Sequence, residues 1–248
     1  MSRIKNRNNE VYTSKQGDKV VIINYKNAHD FDLLYEDGHT QHCYNYRTKE
    51  NVINKNRPTV YGVGYLGIGR YDTNHISYHI WCLMLDRCYN NDGRYSITYE
   101  DCFVCEEWLN FQNFAKWYET AVYEIDEKLE LDKDIKCKGN KIYCPQYCLL
   151  VPKTINKMFV KQQNKRGSLT IGVSLNKRDN KLEVRCRNPL DNKKYFLGYF
   201  DVNDIENAFK AYKDYKEVVI QQLAEFYKNN IPLELYEAML SYKVERGD

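Results

Sequence analysis

Nine cysteines are the residues of this 248-residue chain with the most direct route to chemistry. Cys102-x-x-Cys105 and Cys144-x-x-x-Cys148 make two close pairs, and four thiolates at such spacing can build a tetrahedral zinc site. Cys88 would be a further ligand. Free cysteines also act as small buried hydrophobes, and packing is the favoured expectation for these thiols, with structural zinc as the alternative. The count is odd and no apolar segment follows the basic first ten residues. Neither a disulfide scaffold nor a secretory signal is expected, and the predicted setting is cytoplasmic with reduced thiols. His39 and His42 flank a strand beside Cys43 but adjoin Asp37-Gly38, a turn signal, and read as a solvated pair.

The second feature is charge. Between Lys157 and Lys194 stand eleven Lys or Arg against three acids, a local balance of +8 in a chain whose net charge is only +3. Positive charge concentrated in this way favours a phosphate-bearing partner over an ordinary solvated surface. Within the stretch, Glu183, Arg185 and Arg187 alternate with Leu182, Val184 and Cys186. A strand would therefore turn its arginines to one face and its apolar residues to the other.

The elements that must position these groups point to an α+β chain in three parts. Residues 1–70 read as a small β-module, with runs at Lys19–Tyr25, Phe31–Glu36 and Gln41–Arg47. Residues 71–160 read as a central module. Ile80, Leu83 and Met84, then Trp108, Phe111, Phe114, Ala115 and Tyr118, follow helical spacing. A short strand is expected around Tyr95–Tyr99, and two more before a helix that begins after Pro152. The acid run from Glu124 to Asp132 reads as a solvated helix end.

Residues 161–248 read as three antiparallel strands at Leu169–Leu175, Leu182–Arg187 and Tyr195–Phe200. These pack on one long amphipathic helix from about Val202 to Lys228, capped by Asp201 or Asn203 with Glu206 as the capping-box partner. With 43% hydrophobic and 29% charged residues the chain can build a core, and collagen-like or low-complexity classes are excluded. No apolar run approaches the ~18–20 residues of a membrane span, so no membrane partner is expected.

Gly172-Val173, Arg185, Leu197-Gly198-Tyr199-Phe200, Ala208-Phe209 and Ala211-Tyr212 resemble the DNA-binding domain of plant ethylene-response factors. That family lays a three-stranded sheet in the major groove of double-stranded DNA. The resemblance implies Arg185 and Arg187 as base-facing residues, with Lys177, Arg178, Lys194, Lys165 and Arg166 as phosphate contacts. Upstream, Tyr78, Trp81, Met84-Leu85, Arg87-Cys88-Tyr89, Cys105-Glu-Glu-Trp108, Leu131-Asp-Lys-Asp-Ile135, Gly139-Asn-Lys-Ile-Tyr143, Pro145, Cys148 and Ile155-Asn156 resemble phage H-N-H homing endonuclease-like proteins. In those proteins a ββα segment is the catalytic module, and a domain of the ethylene-response-factor type often follows it.

The departure lies in the catalytic chemistry. An H-N-H site needs a general-base histidine on its hairpin and a metal ligand on the following helix. Here the hairpin reads Asp132-Lys-Asp134, and all five histidines precede residue 80. The resemblance leaves Asp132, Asp134 and Asn156 as the catalytic candidates, with Asp134 able to hold a Mg²⁺ or Mn²⁺ ion. A phage-type DNA-binding protein is the first expectation. A metal-dependent nicking or homing endonuclease is the second, and a counter-defence protein that binds a host defence protein is the third.

Overall fold

The computed structural model describes residues 5–90, 92, 99–159 and 169–248. Two compact units are present, Met1–Arg70 and Tyr71–Asp248.

In the first unit β1 (Val11–Thr13), β2 (Lys19–Asn27), β3 (Asp30–Tyr35) and β4 (Thr40–Cys43) form an antiparallel sheet in sequential order. Strict alternation along β3 buries Phe31, Leu33 and Tyr35 against Val20 and Ile22 of β2, the pattern of a half-buried strand. The third expected run is cut short. β4 ends at Cys43, and Tyr46–Asn51 is a 3-10 helix whose start Asn45 caps by accepting a bond from the Arg47 amide. Lys49 from that helix is buried between the rings of Tyr12 and Tyr46, at 4.9 and 4.2 Å, where cation–π attraction offsets lost hydration.

The second unit begins with α1 (Tyr78–Tyr89), β5 (Phe103–Val104), α2 (Glu106–Leu109) and α3 (Phe111–Ala121). The strand expected around Tyr95–Tyr99 falls, apart from Tyr99, outside the described residues. Trp81, Met84, Leu85, Trp108, Phe111 and Phe114 are fully buried. Within this cluster the Trp81 indole N–H donates to the Trp108 carbonyl at 2.7 Å, which satisfies a polar group that burial would otherwise leave costly. Asn110 breaks the helical run and caps α3 by accepting from the Gln112 amide at 2.9 Å.

Next come β6 (Leu129–Asp132), β7 (Ile142–Tyr143), β8 (Leu149–Pro152) and α4 (Lys153–Phe159). β6 and β8 pair antiparallel, and β7 joins β5 in parallel. The segment thus holds three strands where two were expected. The acid run is no helix end: α3 stops at Ala121, and residues 129–132 are strand.

β9 (Val173–Asn176), β10 (Lys181–Asn188) and β11 (Lys193–Asp201) form a three-stranded antiparallel sheet with β10 at its centre. α5 (Ile205–Tyr227) lies across one face and α6 (Leu233–Ser241) follows. The N-cap of α5 is Asp204, whose carboxylate accepts from the Asn207 amide. The cap expected at Asp201 or Asn203 does not form, because the extended chain of β11 runs on to Asp201. Leu182, Val184 and Cys186 of β10 are buried beneath Ala208 and Tyr212. Ile135, Leu149, Val151 and Ile155 join the same core, as do Leu235 and Met239 of α6. The segment from Tyr123 to Phe159 and the C-terminal sheet therefore share one apolar interior. The architecture is α+β, as the sequence predicts, and among the described residues no helix is long and apolar enough to cross a membrane.

Gly172 sits at the junction of sheet and helix with φ +75°, and a Cβ built there would lie 1.9 Å from Cδ2 of Tyr212. Gly38 has a similar φ, +82°, with open space around it. Gly172→Ala is expected to cost about 3 kcal/mol or more, combining left-handed backbone strain with overpacking, whereas Gly38→Ala should cost about 1 kcal/mol. Urea denaturation of both variants checks this, and equal losses would show that the Tyr212 contact contributes nothing.

Candidate nucleic-acid interface and polar pocket

The outward face of the C-terminal sheet follows from the register. Residues paired across an antiparallel ladder point to the same side, and Arg185 pairs with Phe196, Arg187 with Lys194 and Glu183 with Tyr199. Phe196 and Tyr199 are three apart on β11, so in a regular strand they would point to opposite faces. A β-bulge between Val184 and Arg185 inserts Leu197 as an extra residue, and Gly198 at φ +138° takes up the irregular backbone. This brings both aromatic rings to the arginine side.

Phe196 and Tyr199 are about half exposed, at 49% and 46%, with their ring centroids 4.9 Å apart. The Arg185 guanidinium lies 5.4 Å from the Phe196 ring and is ion-paired to Glu183. Arg187 donates to the Asn192 side chain, and Lys194 beside it is exposed. Lys177 and Arg178 occupy the β9–β10 turn, where Arg178 pairs with Asp179 at 3.0 Å. The face thus gathers Arg185, Arg187 and Lys194, with Lys177 and Arg178 at its end. Lys165 and Arg166 lie outside the described residues. Phe196 and Tyr199 were absent from the sequence-based set, and only the bulge reveals that they share this face.

The hairpin of β6 and β8 leads directly into α4 and walls a polar pocket of about 320 Å³. Asp132, Asp134 and Asn156 all line it, as the sequence suggests, together with Arg87, Glu130, Lys133, Asn140 and Lys141. Glu130 and Asp132 share one face of β6 because they alternate with Leu131. That period-two relation was the available signal for Glu130, which the sequence reading left in the acid run. Asn156 donates from its side-chain amide to Glu130 at 2.7 Å. Lys133 is almost fully buried and donates to Asp134 at 2.8 Å and to the Asn140 carbonyl at 2.6 Å. Burial works against its charge, but the Asp134 carboxylate holds its pKa above the ordinary lysine value. Asp134 is therefore the partner of a buried cation.

Asp132 is the most perturbed carboxyl in the pocket. Its Oδ1 accepts from the backbone amides of Asp134 and Ile135, at 2.8 and 2.7 Å. Burial nevertheless pushes its pKa up to about 6, with the Asp134 charge adding to the rise and the Ile135 amide opposing it. No histidine lines the pocket. His79 opens onto a neighbouring groove, and eight residues of α1 separate it from Arg87, about 12 Å along the axis. His75 bonds Ser77 and is ringed by Tyr71, Phe111 and Tyr118.

The β5–β7 pairing brings the two cysteine pairs towards each other, with the Cys105 amide donating to the Tyr143 carbonyl at 2.9 Å. Cys105 and Cys148 both feel the Cys144 thiol, whereas Cys102 interacts with Cys88. Burial raises the pKa values of Cys102, Cys105 and Cys148, and pushes Cys88 up to about 12. Among the described residues no three His, Cys, Asp or Glu side chains are arranged to hold a metal ion.

The native state holds a proton on Asp132 up to about pH 6, while an unperturbed aspartate releases it near ~4. Stability therefore falls as pH rises through this window and stays lower above it. Asp132→Asn should add on the order of 1–3 kcal/mol at pH 8 and change little at pH 4. Urea melts at the two pH values measure the difference. An equal loss at both would mean that the turn bonds outweigh the buried charge.

None of the protein-family models, curated proteins or solved structures compared with this chain matches it.

Proposed function

We propose that this protein binds double-stranded DNA through the outward face of β9, β10 and β11. The observation that carries this reading is the convergence of Arg185, Arg187 and Lys194 with two half-exposed aromatic rings on a sheet face opposite α5. Guanidinium groups read guanine edges in the major groove, lysines position the protein on phosphates, and aromatic rings add apolar contact. The resemblance to the ethylene-response-factor domain supports the same geometry. Arg185 would exchange its Glu183 partner for a base edge. That exchange favours sites where the base repays the lost ion pair.

The polar pocket supports a second reading, a metal-dependent nicking endonuclease. Its support is Asp132, a half-buried carboxyl of the pocket wall whose pKa is pushed up at a cost to stability, of the kind that marks functional sites. Mg²⁺ or Mn²⁺ would be the ion, with Asp132, Glu130 and the Asn156 side-chain oxygen, all on the pocket wall, as its oxygen donors.

Fluorescence anisotropy with labelled duplexes over a salt series tests the binding reading. Log affinity should fall with log salt at about 0.9 per phosphate neutralised. Arg185→Ala is expected to cost about 1–3 kcal/mol on a preferred sequence and to relax base preference. Lys194→Ala should weaken all sequences alike. Salt-insensitive binding, or an unchanged preference in Arg185→Ala, would overturn the assignment. On supercoiled plasmid with Mg²⁺ or Mn²⁺, nicking that Asp132→Asn abolishes would establish the second reading, and binding without nicking would remove it.

A further inference from the structure

α1 carries more apolar surface than the core uses. Trp81, Met84 and Leu85 are buried, while Ile80 and Leu83 line an open groove with Ile76 just before the helix. Ile76 is 74% exposed. The spacing of these three residues is a second helical stripe. The groove measures about 450 Å³ and is closed on the other side by Tyr118, Val122 and Tyr123 at the end of α3 and by β6, a size proper to small-ligand sites. Its aromatic wall is preset, since the Tyr123 hydroxyl donates to the Leu150 carbonyl at 2.9 Å.

Both acids and bases line the groove. Glu127 accepts from the Tyr227 hydroxyl and the Thr154 amide, and Glu130 accepts from Asn156. Three basic side chains, His79, Lys128 and Arg87, also line the groove, with Arg87 at the end that adjoins the polar pocket. Arg87, Glu130 and Leu131 also wall the polar pocket, so the apolar and polar cavities are contiguous. A ligand matched to both has a flat, largely apolar ring and an anionic group one bond system away.

We propose that the groove holds a single nucleotide unit, its base against Tyr118, Tyr123 and the Ile80–Leu83 stripe and its phosphate at the Arg87 end. One source is a base unstacked from bound DNA, which rests on the DNA-binding reading above. The other is a free nucleoside monophosphate, which does not. Extruding a base costs least where it is mismatched, and apolar and aromatic walls repay that cost.

Val122→Trp fills the groove from an exposed rim position, and Ile76→Trp does so from the opposite rim, providing a second variant should the first misfold. Two probes separate the sources. Calorimetry is run with the four deoxynucleoside monophosphates. A duplex with one fluorescent aminopurine opposite a mismatched base is followed by emission and, in parallel, by gel shift. The expected result is brightening of the aminopurine on binding, or heat from a monophosphate, that either tryptophan variant reduces about tenfold while duplex affinity stays within about threefold. Duplex binding with neither signal would overturn the groove and leave the DNA reading intact. Monophosphate binding without duplex binding would do the reverse. Signals unaltered in both tryptophan variants would place the nucleotide elsewhere and end the proposal.

Discussion

The second unit depends on covering one helix. α5 runs for 23 residues, about 34 Å, and its buried stripe extends from Ala208 to Tyr227. The C-terminal sheet brings Leu182, Val184 and Cys186 to that stripe, and Ile135, Leu149, Val151, Ile155 and α6 share the same cluster. Exposing such a stripe would forfeit roughly 2 kcal/mol for each large side chain. One requirement of burial thus joins the sheet and the hairpin pocket in a common core.

That joining leaves two different surfaces with different economies. The outward sheet face is a solvated array whose Arg178–Asp179 pair is cheap to exchange because exposed pairs contribute little, while Arg185 and Glu183 form a half-buried pair. The pocket is the opposite case. Lys133 is buried and held by Asp134 and a carbonyl, and removing either partner would strand a charge away from water. Asp132 sits beside them with its acidity suppressed by burial. A sheet face with replaceable partners suits reversible binding, whereas a fixed cluster of unlike charges suits holding one group in one place.

Much of this was legible in the sequence, for identifiable reasons. Alternation in Leu182–Arg187 announced the two faces of β10, and the spacing from Ala208 to Phe226 announced α5. The Asp132-Lys-Asp134 and Asn156 positions do meet in one pocket, because a hairpin followed at once by a helix brings its first strand and that helix together. The failures come from interactions that periodicity does not encode. The Leu197 bulge moves Tyr199 to the arginine face, and no pattern of residue types marks a bulge with certainty. The burial of Lys133 depends on the loop that folds back to bring the Asn140 carbonyl to its ammonium. The cap of α5 lies at Asp204 and not at Asp201, which the pairing with Lys181 keeps in β11.

Among the described residues of the pocket wall, Asp132 is the carboxyl whose proton affinity the structure raises. A base must accept a proton near neutrality, and within this wall Asp132 is the carboxyl moved in that direction, by burial and by the Asp134 charge. Two backbone amides on Oδ1 fix its orientation at the same time as they limit the rise. Arg87, held near Tyr99 with its guanidinium 5.7 Å from that ring, brings a permanent positive charge to the same wall. Position, proton affinity and a neighbouring cation thus meet in one pocket. They arise here from a strand end, a helix face and the desolvation of a single carboxylate.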